Sequence, residues 1–207
     1  MFKYAFLALA VLLCFASGAA AEVSFSLAIP ATLDGPYQVR YATNLQIVDA
    51  VVRIGNAGGF SSVYGDLKGN ASASSPLCAN VYGFRATTGQ LTSCCSCNIP
   101  ANGLRSLSVY QDMLADGPVP NPVPNTLVIK LLGTRPVAGV CSAASPGAQT
   151  TGMVAWGISQ QPGFFTATPI YTETPFTVSS LSPQELYTIT SQCAVLQPGP
   201  HACSSCP

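Results

Sequence analysis

Cysteine placement constrains this chain more than any other feature. Cys94-Cys95-Ser96-Cys97 packs three cysteines into four positions, and Cys203-Ser204-Ser205-Cys206 puts two more beside the C-terminus. The first group ends a run, 91–97, that reads as a β-strand, in which side chains alternate between faces. Cys95 and Cys97 then share a face with Leu91 and Ile99, while Cys94 points the other way. Neighbouring cysteines on opposite faces need different partners. Cys78, on the preceding strand, is an expected partner for one of them, and Cys193 is placed to tie a helix to the sheet. The tail cysteines either close on each other or return to the Cys94–Cys97 cluster.

The N-terminus states the compartment. Lys3 supplies a positive start, residues 4–15 form an unbroken apolar run, and Ser17-Gly18-Ala19-Ala20-Ala21 is a small-residue exit. This pattern reads as a secretory signal peptide over residues 1–21, cleaved before Glu22. The run is shorter than the ~20 apolar residues of a membrane span, and no later run reaches that length. Leu13 before Cys14 lacks the small side chain of a lipoprotein signal, which argues against lipidation. Cleavage removes Cys14 and leaves Cys78, Cys94, Cys95, Cys97, Cys141, Cys193, Cys203 and Cys206. An even set in an exported chain reads as a disulfide framework. The expected location is secreted, at the cell surface or in the periplasm.

Charge excludes several functions. Only 8% of the 207 residues are charged, with Lys+Arg 8 and Asp+Glu 8, against about 25% in ordinary soluble domains. No basic surplus exists to neutralise phosphates, so nucleic acid is not an expected partner. The single His201 leaves little room for imidazole catalysis or a multi-histidine metal site.

The remaining pattern is that of strands. Residues 23–29 and 37–41 alternate apolar and polar or small side chains. Residues 47–54 are rich in β-branched side chains and stop at a Gly-rich cluster. Residues 77–84 and 91–97 flank Thr87-Thr88-Gly89-Gln90 as a hairpin. Residues 104–110, 126–132, 152–159 and 164–171 read the same way. The expectation is a mainly β fold, an antiparallel β-sandwich of eight or nine strands over 22–180. Residues 181–207 are expected to add one helix and a disulfide-linked tail packed on the sandwich. Ser182-Pro183-Gln184-Glu185 has the residues of a helix start, with Glu185 read as a capping residue. Leu186, Ile189, Cys193 and Leu196 follow at helical spacing and end before Pro198-Gly199-Pro200. Residues 58–76 and 116–125 read as long loops, the second with four prolines and the first with an Asn70-Ala71-Ser72 sequon.

No catalytic group assembles from sequence neighbours. Asp34 and Asp116 precede Gly-Pro and read as turn residues, and the other carboxylates are scattered. Trp156 in an apolar run reads as core. A thiolate metal, iron–sulfur or redox site on Cys94, Cys95, Cys97, Cys203 and Cys206 is the sharp alternative to disulfides. Export favours oxidation, and the tail Cys-x-x-Cys lacks the helix N-terminus that activates such motifs. No cofactor is expected.

Several segments together carry a resemblance: Leu77-Cys78-Ala79-Asn80-Val81-Tyr82, Ser93-Cys94-Cys95-Ser96-Cys97, Pro100-Ala101-Asn102-Gly103-Leu104, Val154-Ala155-Trp156-Gly157, Thr172-Glu173-Thr174-Pro175-Phe176 and the terminal Cys-x-x-Cys. The set resembles an uncharacterised family of secreted, cysteine-rich bacterial proteins. Asp49-Ala50-Val51-Val52-Arg53-Ile54-Gly55-Asn56 resembles an early strand of bacterial immunoglobulin-like domains. The resemblance implies secretion and a shared cysteine pattern, and transfers no functional residue. The sequence therefore points to a non-enzymatic extracellular structural, surface or adhesive protein. Its expected partners are itself, other extracellular proteins or glycans, with 22–29 as a candidate for strand exchange. A ligand- or carbohydrate-binding module using exposed aromatics such as Tyr64 and Tyr110 is the alternative.

Overall fold

Alternation along the strands sorts side chains onto two kinds of surface, and two sheets result. The computed structural model describes residues 35–57, 75–114, 123–161, 170–197, 199 and 201–206. The strands are β1 (Tyr37–Thr43), β2 (Ala50–Asn56), β3 (Leu77–Arg85), β4 (Leu91–Ile99), β5 (Leu104–Ser108), β6 (Thr126–Thr134), β7 (Met153–Gln161), β8 (Ile170–Pro175) and β9 (Thr177–Val178). They are followed by one helix, α1 (Pro183–Leu196). The first sheet runs β4-β3-β6-β1-β9 and the second β5-β2-β7-β8. Every pairing between these strands is antiparallel. The expected sandwich with a C-terminal helix and disulfide-linked tail is what forms.

The core between the sheets takes one parity of each strand. Leu77, Ala79 and Val81 of β3, Cys95, Cys97 and Ile99 of β4, and Leu127, Ile129 and Leu131 of β6 meet Val52, Ile54, Met153 and Ala155 of the second sheet. The opposite parity of the first sheet is also covered. Tyr37, Tyr82, Phe84, Cys94 and Leu132 pack with Ile189 and Cys193 of α1. The first sheet is thus the middle of three layers, which is why β3 is buried at eight of its nine positions.

Local chemistry sets the boundaries. Gly89 adopts φ +67° in the β3–β4 turn, a region open to glycine at no steric cost. A bulge between Gly83 and Phe84 adds Thr92 opposite the pair. It rotates Leu91 onto the α1 side with Cys94, correcting the expectation that Leu91 shares a face with Cys95. Residues 109–110, expected to extend β5, instead begin a π-helical turn, Val109–Leu114, whose Val109, Met113 and Leu114 enter the inter-sheet core. Pro175 ends β8, and Phe176 then buries itself where the chain passes from the second sheet to the first. Trp156 is half-buried on the outer face of the second sheet, opposite Arg53, and is not core. The expected strand 23–29 and most of the loops 58–76 and 116–125 lie outside the described residues, as does all of the expected strand 164–171 except its last two positions, where β8 begins and runs on to Pro175.

Two side chains of β1 join the sheets by hydrogen bonds: buried Gln38 donates its Nε2 to Met153 O of β7 at 2.7 Å, and Arg40 makes the larger set. The Arg40 guanidinium donates to Gly157 O, to Thr174 O at 2.6 Å and to Ser159 Oγ at 3.1 Å. A Cβ at position 157 would occupy the space of that guanidinium. Gly157→Ala should therefore displace Arg40 and cost about 1–3 kcal/mol, the worth of hydrogen bonds to a charged group. Chemical denaturation of the two proteins measures it, and an unchanged midpoint would contradict the role given to Gly157.

Candidate functional site

The eight cysteines among the described residues form four disulfides: Cys78–Cys141, Cys94–Cys193, Cys95–Cys203 and Cys97–Cys206. β-Strand alternation decides who meets whom. Cys94 points to the outer face and reaches Cys193 on α1, as the helical spacing suggested. Cys95 and Cys97 point into the inter-sheet core and receive the two tail cysteines. Cys78 does not pair with a neighbour in the cluster, contrary to one expectation. It lies on the outer face and fixes the 135–150 connection, whose Ala143 O accepts the Tyr82 hydroxyl at 2.8 Å. Cys97, Cys203 and Cys206 place their sulfurs within 4.8 Å of one another, all buried. Oxidised sulfurs are not thiolates, so the disulfide form offers no metal ligands.

The tail does more than carry sulfur. Ser96 N donates to His201 O at 2.9 Å, and Cys203 N donates to Ser96 O at 3.2 Å. Ala202 pairs with Ser96 as a parallel bridge, so the tail occupies the outer edge of β4. Asp112 closes the arrangement. Its carboxylate accepts from Ser108 N at 2.7 Å, Ser204 Oγ at 2.6 Å and Ser205 N at 2.7 Å. Burial pushes this carboxyl up, but the donors outweigh it and hold it below the usual range. His201 contributes its backbone here.

The second sheet ends differently, with no further strand beside β8 among the described residues. β8 is the last strand beyond β7, and all six of its residues are exposed. Phe176 N donates to Ala155 O at 2.9 Å. By the two-residue period of a strand, the backbone N–H and C=O groups of Tyr171 and Glu173 point away from β7. Among the described residues nothing pairs with that edge. Tyr171 is 65% exposed, and the one charge on the strand, Glu173, faces Arg53 at 3.8 Å.

A groove separates α1 from the outer face of the first sheet. It encloses about 720 Å³. At its centre Glu185 Oε1 accepts from Tyr37 Oη at 2.7 Å and Lys130 Nζ at 2.6 Å. Lys130 also sits 4.8 Å over the Phe84 ring. Ser182 caps the helix as expected, accepting from Glu185 N at 3.1 Å. The Glu185 carboxylate, however, does not serve as a capping group. The first turn of α1 faces the sheet, and there the ammonium of Lys130 offers a stronger partner than a backbone N–H. Burial pushes the Glu185 carboxyl up, yet Lys130 and Tyr37 together hold it below its ordinary value. The Tyr37 hydroxyl is pushed up by burial and by the acid it serves. Sequence reasoning missed this triad because its members lie 55 and 148 positions from Glu185. Of the aromatics named as ligand contacts, Tyr110 is 44% exposed on the π-helical turn, and Tyr64 lies outside the described residues.

No protein-family model matches the chain, and no curated protein or solved structure is significantly similar to it. Among the described residues no helix is long and apolar enough to cross a membrane.

Two measurements follow from these contacts. Alkylation of the denatured, unreduced protein should leave the eight described cysteines unmodified, and its mass should fall eight hydrogens below that of the reduced chain, matching four disulfides. Any alkylated cysteine among the eight would contradict the pairing. The lowered carboxyls give an acid response of fixed sign. Their contribution is complete above the ordinary carboxylate range and is lost as pH falls through the lowered values. Glu185→Gln should therefore lower Tm at neutral pH, by a margin that shrinks below about pH 4. A pH-independent difference would remove the ionised pair as its cause.

Proposed function

We propose that this chain is a non-enzymatic, disulfide-braced extracellular protein of structural or adhesive type that associates with copies of itself through β8. The observation that carries the reading is the contrast between sheet edges. The edge at β4 is closed by the protein's own tail, held there by two disulfides. The edge at β8 offers backbone groups of Tyr171 and Glu173 that nothing pairs with among the described residues, which are a template for another strand. Four disulfides are consistent with an oxidising, non-cytoplasmic setting. Equal numbers of acidic and basic residues leave no strong field to keep copies apart. The ionisable groups that do converge, Glu185 with Lys130 and Asp112 with its serine donors, hold α1 and the tail in place.

The proposal also relocates the strand expected to mediate association, from residues 22–29 to β8. Light scattering coupled to size exclusion should show dimers or larger species rising with concentration. Tyr171→Pro removes a donor on the open edge without removing a β7 ladder bond, and should shift the population to monomer with the fold intact by circular dichroism. Thr172→Lys, which adds charge on the same strand, should act in the same direction. A wild-type protein that stays monomeric at millimolar concentration would overturn the proposal.

A further inference from the structure

The groove under α1 continues beyond the Glu185 triad. A second depression of about 580 Å³ lies against the C-terminal half of the helix, between Leu91 of β4 and Val195 and Leu196 of α1. The two share Gln192. They lie one after the other along α1, bordered opposite by the β3–β4 turn through Arg85, Gly89 and Gln90. Fourteen helical residues span about 21 Å. Two depressions in line over that length fit a short extended polymer better than a compact metabolite.

Its lining specifies the chemistry. Gln90, Gln184 and Gln192 each offer an amide that both donates and accepts, while Thr188 and Ser191 donate their hydroxyls to the helix carbonyls of Gln184 and Thr188 and keep only acceptor capacity for a ligand. Such a set matches the hydroxyls of a sugar. Tyr41 stands at the mouth, 63% exposed, and gives a ring face for stacking against a sugar's C–H side. The charged groups are unequal. Lys130 and Glu185 cancel in their pair, while Arg85 makes no ion pair among the described residues. One cation therefore remains for the ligand, and its planar fork suits a carboxylate.

We propose that this groove binds an acidic oligosaccharide, with a uronate carboxylate on Arg85, a sugar face on Tyr41 and neighbouring hydroxyls on Gln184 and Gln192. The site is separate from the β8 edge, so self-association and saccharide binding succeed or fail independently.

The test is a titration of the full exported protein, followed by amide chemical shifts, with a galacturonic-acid tetrasaccharide and a neutral glucose tetrasaccharide of equal length. Saturable shifts should appear along Tyr41, Arg85, Gln184 and Gln192, with the acidic ligand at least tenfold tighter at low salt. Arg85→Gln should erase that preference while leaving the melting temperature unchanged. Tyr41→Ala should weaken both ligands about tenfold, as loss of a stacking face requires. No saturable shift with either saccharide would overturn the site. Equal binding of the two, or a preference that survives Arg85→Gln, would overturn the role of Arg85 and with it the acidic class.

Discussion

β4 holds the molecule together because its cysteines face in two directions. Cys94 binds α1 across the outer face, and Cys95 and Cys97 draw the C-terminal tail into the core between the sheets. The loops these bonds close are long, with sequence separations of 99, 108 and 109. A cross-link of that span restricts the unfolded chain by about 4–5 kcal/mol in the chain-entropy view, and the others, whose loops the first has already shortened, add less. The helix and tail, short elements with little core of their own, are fixed to the sandwich by this one strand.

The same strand explains why the first sheet is buried on both faces and the second is not. With α1 clamped over Cys94, the outer face of the first sheet becomes an interior. Tyr37, Tyr82 and Lys130, polar groups on that face, then need partners, and they find Ala143 O and Glu185. The second sheet has no such cover among the described residues. Trp156 stays half-buried there and β8 stays open. The proposed activities follow this asymmetry: strand pairing at the uncovered sheet, ligand capture in the cleft left where the helix does not close on the covered one.

Much of the fold was legible because strands announce themselves by period. β1, β3, β4, β6 and β7 fall within a few residues of their expected positions, and Ser182 caps α1 where its motif placed it. The misses have local causes. The bulge at Gly83/Phe84 broke the parity that placed Leu91, and after β5 the chain enters a π-helical turn that carries Val109, Met113 and Leu114 into the core. β9, two residues long, is too short to carry a period. Of the candidate sites, the open β8 edge and the Glu185 triad were invisible, since both depend on what does or does not lie beside a residue in space.

By itself the sequence determined the period of each strand, the cap and stripe of α1, and the fact that Cys94 and Cys95 must part company, because backbone geometry alone separates adjacent side chains in a strand. Tertiary structure decided the rest. Which sulfur each cysteine reached, which acid Lys130 and Tyr37 shared, and which sheet edge the tail covered were set by the packing of layers whose contacts join residues far apart in the chain.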